Sequence, residues 1–361
     1  MLKYLPENLI EQALTEWRNS DVPVFILGTG QTAGKIKQYI DHRGGEIDGF
    51  LLNRKYWREG TERWQGCPVY VAEEYLAEHT CRLIVGFSGY QEDMLEGFSD
   101  HIEKLYALDF IGALCLEGEY SMISHAFYQE HKESLDWLEK HLCDEESQKA
   151  LEQFILQRMT GVYAKETYDK GTQYFPDSVI RLEEGEVFVD CGAYHGESSI
   201  DFICQLEHAG IKNYRKIVCV EADGENAEEI KKVLKEYKNV EIIHAGVWDK
   251  AGVLHMNAGY GVGSRLAEDG ADTVTVAAID EILQGEEATY IKMDVEGAEL
   301  RALYGAEKTI RTYRPKLAVC MYHKPEDLVT IPQYIYSIRD DYRFYIRNHS
   351  PYGIEMVLYA V

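Results

Sequence analysis

Apolar and polar positions divide the chain into alternating short runs. Residues 5 to 19 carry apolar residues at helical spacing and predict an amphipathic helix. "VPVFILGTGQTAGKIKQYIDHRG" then reads as strand, glycine turn and helix, and "EIDGFLLN" as a second strand. After a polar, aromatic loop ("RKYWREGTERWQG"), "CPVYVAEEYLAEH", "CRLIVGFSGYQEDMLEGF" and "KLYALDFIG" continue the alternation. Strands alternating with helices predict a doubly wound parallel sheet, here a small Rossmann-like α/β domain over residues 1–117. Between 118 and 180 the pattern turns helical, in "HAFYQEHKESLDWLEKHL" and "DEESQKALEQFILQRMTG", and predicts a helical connector.

A second α/β series fills residues 181–361. "VFVDCG", "KIVCVEA", "VEIIHAGVWD", "VTVAAI", "YIKMDV" and "KLAVCMY" are continuously apolar, as parallel strands covered on both faces should be. The tail "YRFYIRNHSPYGIEMVLYAV" differs: two strand-like runs flank "SPYG" and predict a C-terminal antiparallel hairpin.

Composition narrows the partners. The chain has 361 residues, enough for two domains, and a net charge of −25. That acidic excess argues against a protein gripping nucleic acid or an anionic membrane, both of which call for a basic face. Eight scattered cysteines without a C-x-x-C pair read as free thiols in a reducing compartment. With no signal-peptide core near the start and no apolar run of membrane-spanning length, a cytoplasmic location is expected.

Candidate chemistry gathers at the predicted carboxyl ends of strands, where open α/β sheets bind ligands. Asp190 ends one strand, and Gly192 and Gly196 follow in a G-x-x-x-G turn that differs from the dinucleotide G-x-G-x-x-G. Glu221 ends the next strand, suited to accept from both hydroxyls of a ribose. Together they suggest an adenosine-bearing ligand held without a pyrophosphate cradle. In "TYIKMDVEGAELRALYGAEKTI", Lys292 and Asp294 share a strand face and call for pairing, while Asp294 and Glu296 reach the ligand crevice. Glu299 falls further along the next helix, whose other positions read as packing.

"VFVDCGAYHGESSIDF", "VCVEAD", "YIKMDVEGAELRALYGAEKTI", "RPKLAVCMYHKPEDLVTIPQYI" and the closing segment resemble, in this order, the FkbM family of S-adenosylmethionine-dependent methyltransferases over residues 170 to 361. The resemblance implies a class I methyltransferase fold and O-methylation of a sugar or other small hydroxylated molecule. It carries Asp190, Gly192, Ala193 and Gly196 onto the glycine-rich motif around the methionine part of the cofactor. Glu197 and Ser198 open the following helix there, and Glu221 with Ala222 match the ribose-binding strand end. Val247, Trp248 and Asp249 fall where such enzymes wrap the adenine. Gln173 and Tyr174, in "GTQYF", become candidate cofactor contacts. Where many members have asparagine in the first motif, this chain has Tyr194 or His195.

Methyl transfer to a hydroxyl requires alignment and proton removal. His323, at a strand's carboxyl end in "MYHKPEDL", is the expected base, with Asp294 as its competitor and Lys292 orienting Asp294 or donating to substrate. Asp294, Glu296 and His323 could instead hold a divalent cation. Their spacing is not that of a compact metal motif, so direct base catalysis is expected. In the amino-terminal domain, Gly28, Gly30 and Ala33 fit G-x-G-x-x-A, but Asn53 stands where a ribose acid is wanted. This domain resembles small Rossmann-like units on sugar-modifying acyltransferases. Phosphate or nucleotide-sugar binding is one expectation for it, and a structural or homodimer-forming role is the other. The remaining alternatives for the whole chain are a nucleotide-dependent enzyme and a regulatory protein with an inactive methyltransferase-like domain.

Overall fold

A computed structural model describes residues 2, 4–19, 21–87, 95, 97–108, 123–162, 168–257, 265–266, 272–350 and 354–361. By contact density the chain divides into two compact units. One comprises residues 2–125 with 153–165, and the other residues 126–152 with 166–361. The segment expected as a separate connector is thus shared between the units, and the division falls inside the helix Glu145–Thr160.

In the first unit, β1 (Val24–Leu27), β2 (Gly49–Leu52), β4 (Cys67–Val71), β5 (Cys81–Val85) and β6 (Ile102–Tyr106) form a parallel sheet. The short β3 (Arg63–Trp64), inside the segment read as loop, pairs antiparallel at its edge, giving the order β3-β4-β2-β1-β5-β6. Apolar side chains of the helix Leu9–Arg18, among them Ile10, Leu14 and Trp17, share a core with Ile26, Ile36 and Phe50. Gly28 adopts φ +100°, open to glycine alone without strain, and Gly30 precedes the helix Gln31–His42. Ala33 is fully buried, and a side chain at Gly86 would meet its Cβ at 2.8 Å, so helix and strand need small residues here. Asn53 lies beside Glu73, which accepts from the Arg54 N–H at 2.8 Å.

The second unit holds a seven-stranded sheet. Its members are β7 (Val187–Cys191), β8 (Lys216–Glu221), β9 (Val240–His244), β14 (Tyr290–Met293), β15 (Lys316–Cys320), β16 (Phe344–Asn348) and β17 (Met356–Ala360). Their order is β16-β17-β15-β14-β7-β8-β9, parallel except for β16 and β17. The expected C-terminal hairpin is these two strands, with the last strand inserted beside β15; residues 351–353 of its turn lie outside the described residues.

Two expectations are corrected. "VEIIHAGVWD" is not one strand: β9 ends at His244, and β10 (Gly246–Val247) joins a separate sheet. "VTVAAI" falls in β13 (Asp272–Ala277), which pairs with β10 and with β11 (Gly252–Asn257) in that second sheet rather than the main one. Its alternating burial, with Val274 and Val276 buried between exposed threonines, is that of a sheet with one face on a core. Among the described residues no helix is long and apolar enough to cross a membrane.

Candidate active site

The carboxyl ends of β7, β8, β14 and β15 bring most of the candidate residues together. After β7 the chain turns through Gly192 (φ +74°), Tyr194 (φ +50°) and Gly196 (φ +89°) into the helix Glu197–His208. Gly192 is required here on two grounds. Its φ is left-handed, and a Cβ would stand 1.8 Å from the Asp294 carbonyl oxygen. Ala193 is buried in the turn, Ser198 is half-buried and Glu197 exposed. The side chains of Tyr194 and His195 stack, with centroids 3.8 Å apart and planes 17° from parallel.

Asp190 does not face a ligand. It is fully buried, and its carboxylate takes Lys292 Nζ at 3.1 Å and Ser199 Oγ at 2.8 Å. The parallel register sets Lys292 opposite Asp190, so the partner of this buried lysine is Asp190 rather than Asp294. Lys292 also donates to the Gly192 carbonyl at 2.6 Å and lies 5.0 Å over the Tyr174 ring. Burial acts to lower the ammonium's pKa, but Asp190 and Asp294 outweigh it and hold the group charged. With 2% exposure Lys292 cannot donate to a substrate. The pair instead fixes the first turn to the end of β14.

Glu221 is buried at the end of β8. Its Oε2 accepts from the Tyr194 N–H at 2.8 Å and its Oε1 from the Asp223 N–H at 2.9 Å. Each oxygen keeps a lone pair for a further donor. Burial raises the carboxyl above its usual range against the pull of those two N–H groups. Ala222 and Trp248 pack on Val274 and Val276, so this strand end meets β10 and buried Val247. Asp249 Oδ2 accepts from the Arg301 guanidinium at 2.9 Å, and its buried Oδ1 has no hydrogen-bond partner among the described residues. The backbone oxygen of Gln173 accepts from the Tyr359 hydroxyl and that of Tyr174 from the Tyr290 hydroxyl, clamping this segment to β17 and β14.

Asp294 gathers the other side of the site. Oδ2 accepts from the Tyr174 hydroxyl at 2.8 Å and Oδ1 from the Tyr322 hydroxyl at 3.2 Å. His323 Nε2 lies 3.6 Å from Asp294 Oδ1 and 3.4 Å from Glu296 Oε2, while Nδ1 lies 3.0 Å from Glu299 Oε1. Burial acts to raise the Asp294 carboxyl, yet Lys292, His323 and both tyrosines outweigh it and keep the group ionised. Burial acts to lower His323, but Glu299, Glu296 and Asp294 lift the imidazole well above 6.5. In place of the expected near-neutral histidine, the three carboxylates around His323 favour its protonated ring as long as no other cation sits among them. Burial raises the Glu296 carboxyl instead, and its side chain keeps 24% exposure toward solvent.

Glu299, at the start of the helix Glu299–Tyr304, has a role that its place in the sequence does not announce. It is fully buried, and Oε1 also accepts from the Val295 N–H at 2.9 Å and the Gly297 N–H at 3.3 Å. This closes the turn in which Glu296 (φ +54°) and Gly297 (φ +89°) are both left-handed. Ser199 and Tyr322 escaped the sequence as well. Ser199 was findable as a polar residue in the first turn of an otherwise apolar helix face behind Asp190; nothing in the sequence singles out Tyr322.

A sheet of order β16-β17-β15-β14-β7-β8-β9 with these groups at its carboxyl ends defines a Rossmann-like methyltransferase fold. Residues 190–345 match the family model described as the methyltransferase FkbM domain. A crystal structure of methyltransferase FkbM from Methylobacillus flagellatus KT is similar over 99% of this chain and 94% of its own, at 23% identity and a TM-score of 0.78. The likeness thus extends to the fold of both units. An rRNA methylase from Streptococcus thermophilus (TM-score 0.32, 14% identity, 50% of this chain and 87% of that chain) and Aeropyrum pernix fibrillarin in complex with S-adenosyl-L-methionine (0.31, 13%, 51% and 70%) are too distant to carry an argument. No curated protein matches the chain.

Proposed function

We propose that this domain transfers a methyl group from S-adenosylmethionine to a hydroxyl of a sugar or another small hydroxylated molecule. The observation that carries the reading is acceptor capacity left at the end of β8 and just after β10. Glu221 holds spare lone pairs at the expected ribose position, and Asp249 Oδ1, next to Trp248 in the chain, is buried without a hydrogen-bond partner among the described residues. A ribose diol and an exocyclic adenine amine are donors of the kind these acceptors lack. The helix Glu197–His208 offers N–H groups of its first turn to a carboxylate.

When bound, the cofactor supplies a methyl group on a positively charged sulfur. The chain's own residues do the rest. Tyr174 and Tyr322 fix the Asp294 carboxylate, and Glu296, with its raised pKa and partial exposure, stands where an acceptor hydroxyl can reach it. Asp294 and Glu296 supply the oxygens that draw the hydroxyl proton, and His323 Nε2 lies between them at 3.6 and 3.4 Å. The acidic chain favours neutral acceptors over polyanions. The test incubates the full-length protein with methyl-labelled S-adenosylmethionine and a panel of monosaccharides, nucleotide sugars and polyols. Label appearing in an O-methyl ether supports the reading; label found on nitrogen or carbon instead rejects it.

A further inference from the structure

Asp294, Glu299 and His323 each present a ligating atom, all within 4.8 Å of one another, and this is the one such cluster found among the described residues. Glu296 adds a fourth group, 3.4 Å from His323 Nε2. Three carboxylates thus surround one imidazole in a largely buried space. A proton on His323 would balance only one of them, whereas a divalent cation replacing that proton at Nε2 balances two, and a low-dielectric site tolerates the remaining surplus poorly.

The two nitrogens of His323 are in different situations. Nδ1 is met by Glu299 Oε1, an atom already accepting two backbone N–H groups, so this carboxylate is committed to the protein and orients the ring. Nε2 points between Asp294 Oδ1 at 3.6 Å and Glu296 Oε2 at 3.4 Å, both long for hydrogen bonds. Ligand atoms held at roughly 2.1 Å from one small cation lie about 3.0 to 3.5 Å apart at bond angles of roughly 90–110°. The separation of His323 Nε2 from Glu296 Oε2 falls in that range, and that from Asp294 Oδ1 lies just above it. A buried carboxylate on the far nitrogen of a metal-binding histidine is the usual second partner that fixes its tautomer and orientation. Asp294 and Glu296 keep 22% and 24% exposure, which leaves the remaining positions on an ion open to water or to a ligand.

The geometry points to a divalent-cation site formed by Asp294 Oδ1, Glu296 Oε2 and His323 Nε2, with Glu299 as the positioning residue behind it. One imidazole and two carboxylates suit Mn²⁺ and similar oxygen-preferring divalent ions. The site stands on these distances; its role rests on the methyl-transfer reading above. An acceptor hydroxyl bound to the ion would release its proton to water at a lower pH than it does free.

The test titrates metal-stripped full-length protein with Mn²⁺ and follows the loss of the free-ion electron paramagnetic resonance signal. Wild type should bind one Mn²⁺ per chain. Glu296→Gln, at a partly exposed position, should weaken binding at least tenfold with an unchanged circular dichroism spectrum. Glu299→Gln should weaken it by about 10- to 100-fold, as for other outer partners of metal ligands. No stoichiometric Mn²⁺ binding by wild type, or undiminished binding by folded Glu296→Gln, overturns the site. S-adenosylmethionine binding measured on the same preparation separates the two claims. Mn²⁺ binding without it rejects the methyl-transfer reading alone, and the reverse rejects the cation site alone.

Discussion

Lys292 Nζ and Asp190 Oδ1 lie 3.1 Å apart on neighbouring strands, both cut off from solvent. They join the turn that follows β7 to the end of β14, and so hold the two sides of the crevice in register. Removing one partner would strand a buried charge, at a cost of about 3–5 kcal/mol. Asp190→Asn should therefore lower the melting temperature of the second unit by roughly 6–20 °C in scanning calorimetry. The double replacement Asp190→Leu with Lys292→Met should recover most of that loss. Asp190→Asn melting like wild type would mean that the pair does not hold the fold.

Gly192→Ala asks for more than the turn can give. The new methyl would collide with the Asp294 carbonyl, a backbone atom that cannot swing aside, at a φ of +74°. Expression of soluble, cooperatively melting protein should fail, or the transition should fall by more than about 10 °C. Normal melting would require a different path for residues 192–196.

Stability should decline as pH rises toward 8. Burial, reinforced by Glu299, pushes the Asp327 carboxyl from its ordinary 3.8 up to about 8. A group whose pKa is raised on folding contributes stability that is complete below the ordinary value and lost as pH climbs through the folded one. His323, raised for a different reason, acts with the same sign. Urea midpoints at pH 5, 7 and 9 should fall steadily for wild type and more shallowly for Asp327→Asn. The amide keeps an acceptor for the Lys324 N–H, which Asp327 now meets at 3.1 Å. Equal slopes for the two proteins would remove Asp327 as the cause.

Glu296→Gly should separate folding from function. A non-glycine residue at φ +54° stores roughly 1 kcal/mol of strain, while glycine adds a similar entropy to the unfolded chain. The melting temperature should move by only a few degrees, yet transfer to a hydroxylated acceptor should fall at least a hundredfold. Retained activity would exclude the Glu296 carboxylate from the chemistry.

Strand positions, the order of the C-terminal elements and the ends carrying Asp190, Glu221 and Asp294 were legible because each strand is a compact apolar run with a polar stop. The second sheet was not legible. β10 follows β9 after a single residue, and only tertiary pairing reveals that they part. The partner of Lys292 was hidden for a related reason. Strand parity offers Asp294, two residues away, whereas register offers Asp190, about a hundred residues away, and register is not written in either strand. His323 is legible as a residue at a strand end but its electrostatics are not, because they depend on Glu296 and Glu299, which a turn of two left-handed residues folds back toward it. A spacing search for metal ligands fails for the same reason: the ligands come from two strand ends.

The central claim is that Glu221 receives the ribose of S-adenosylmethionine at the end of β8. Calorimetric titration of the full-length protein with S-adenosylmethionine, beside Glu221→Ala checked for folding, tests it most directly. The account predicts one site per chain in wild type and affinity weakened by at least about tenfold in the variant, the equivalent of about 1.4 kcal/mol. No binding by wild type, or equal binding by folded Glu221→Ala, would contradict it.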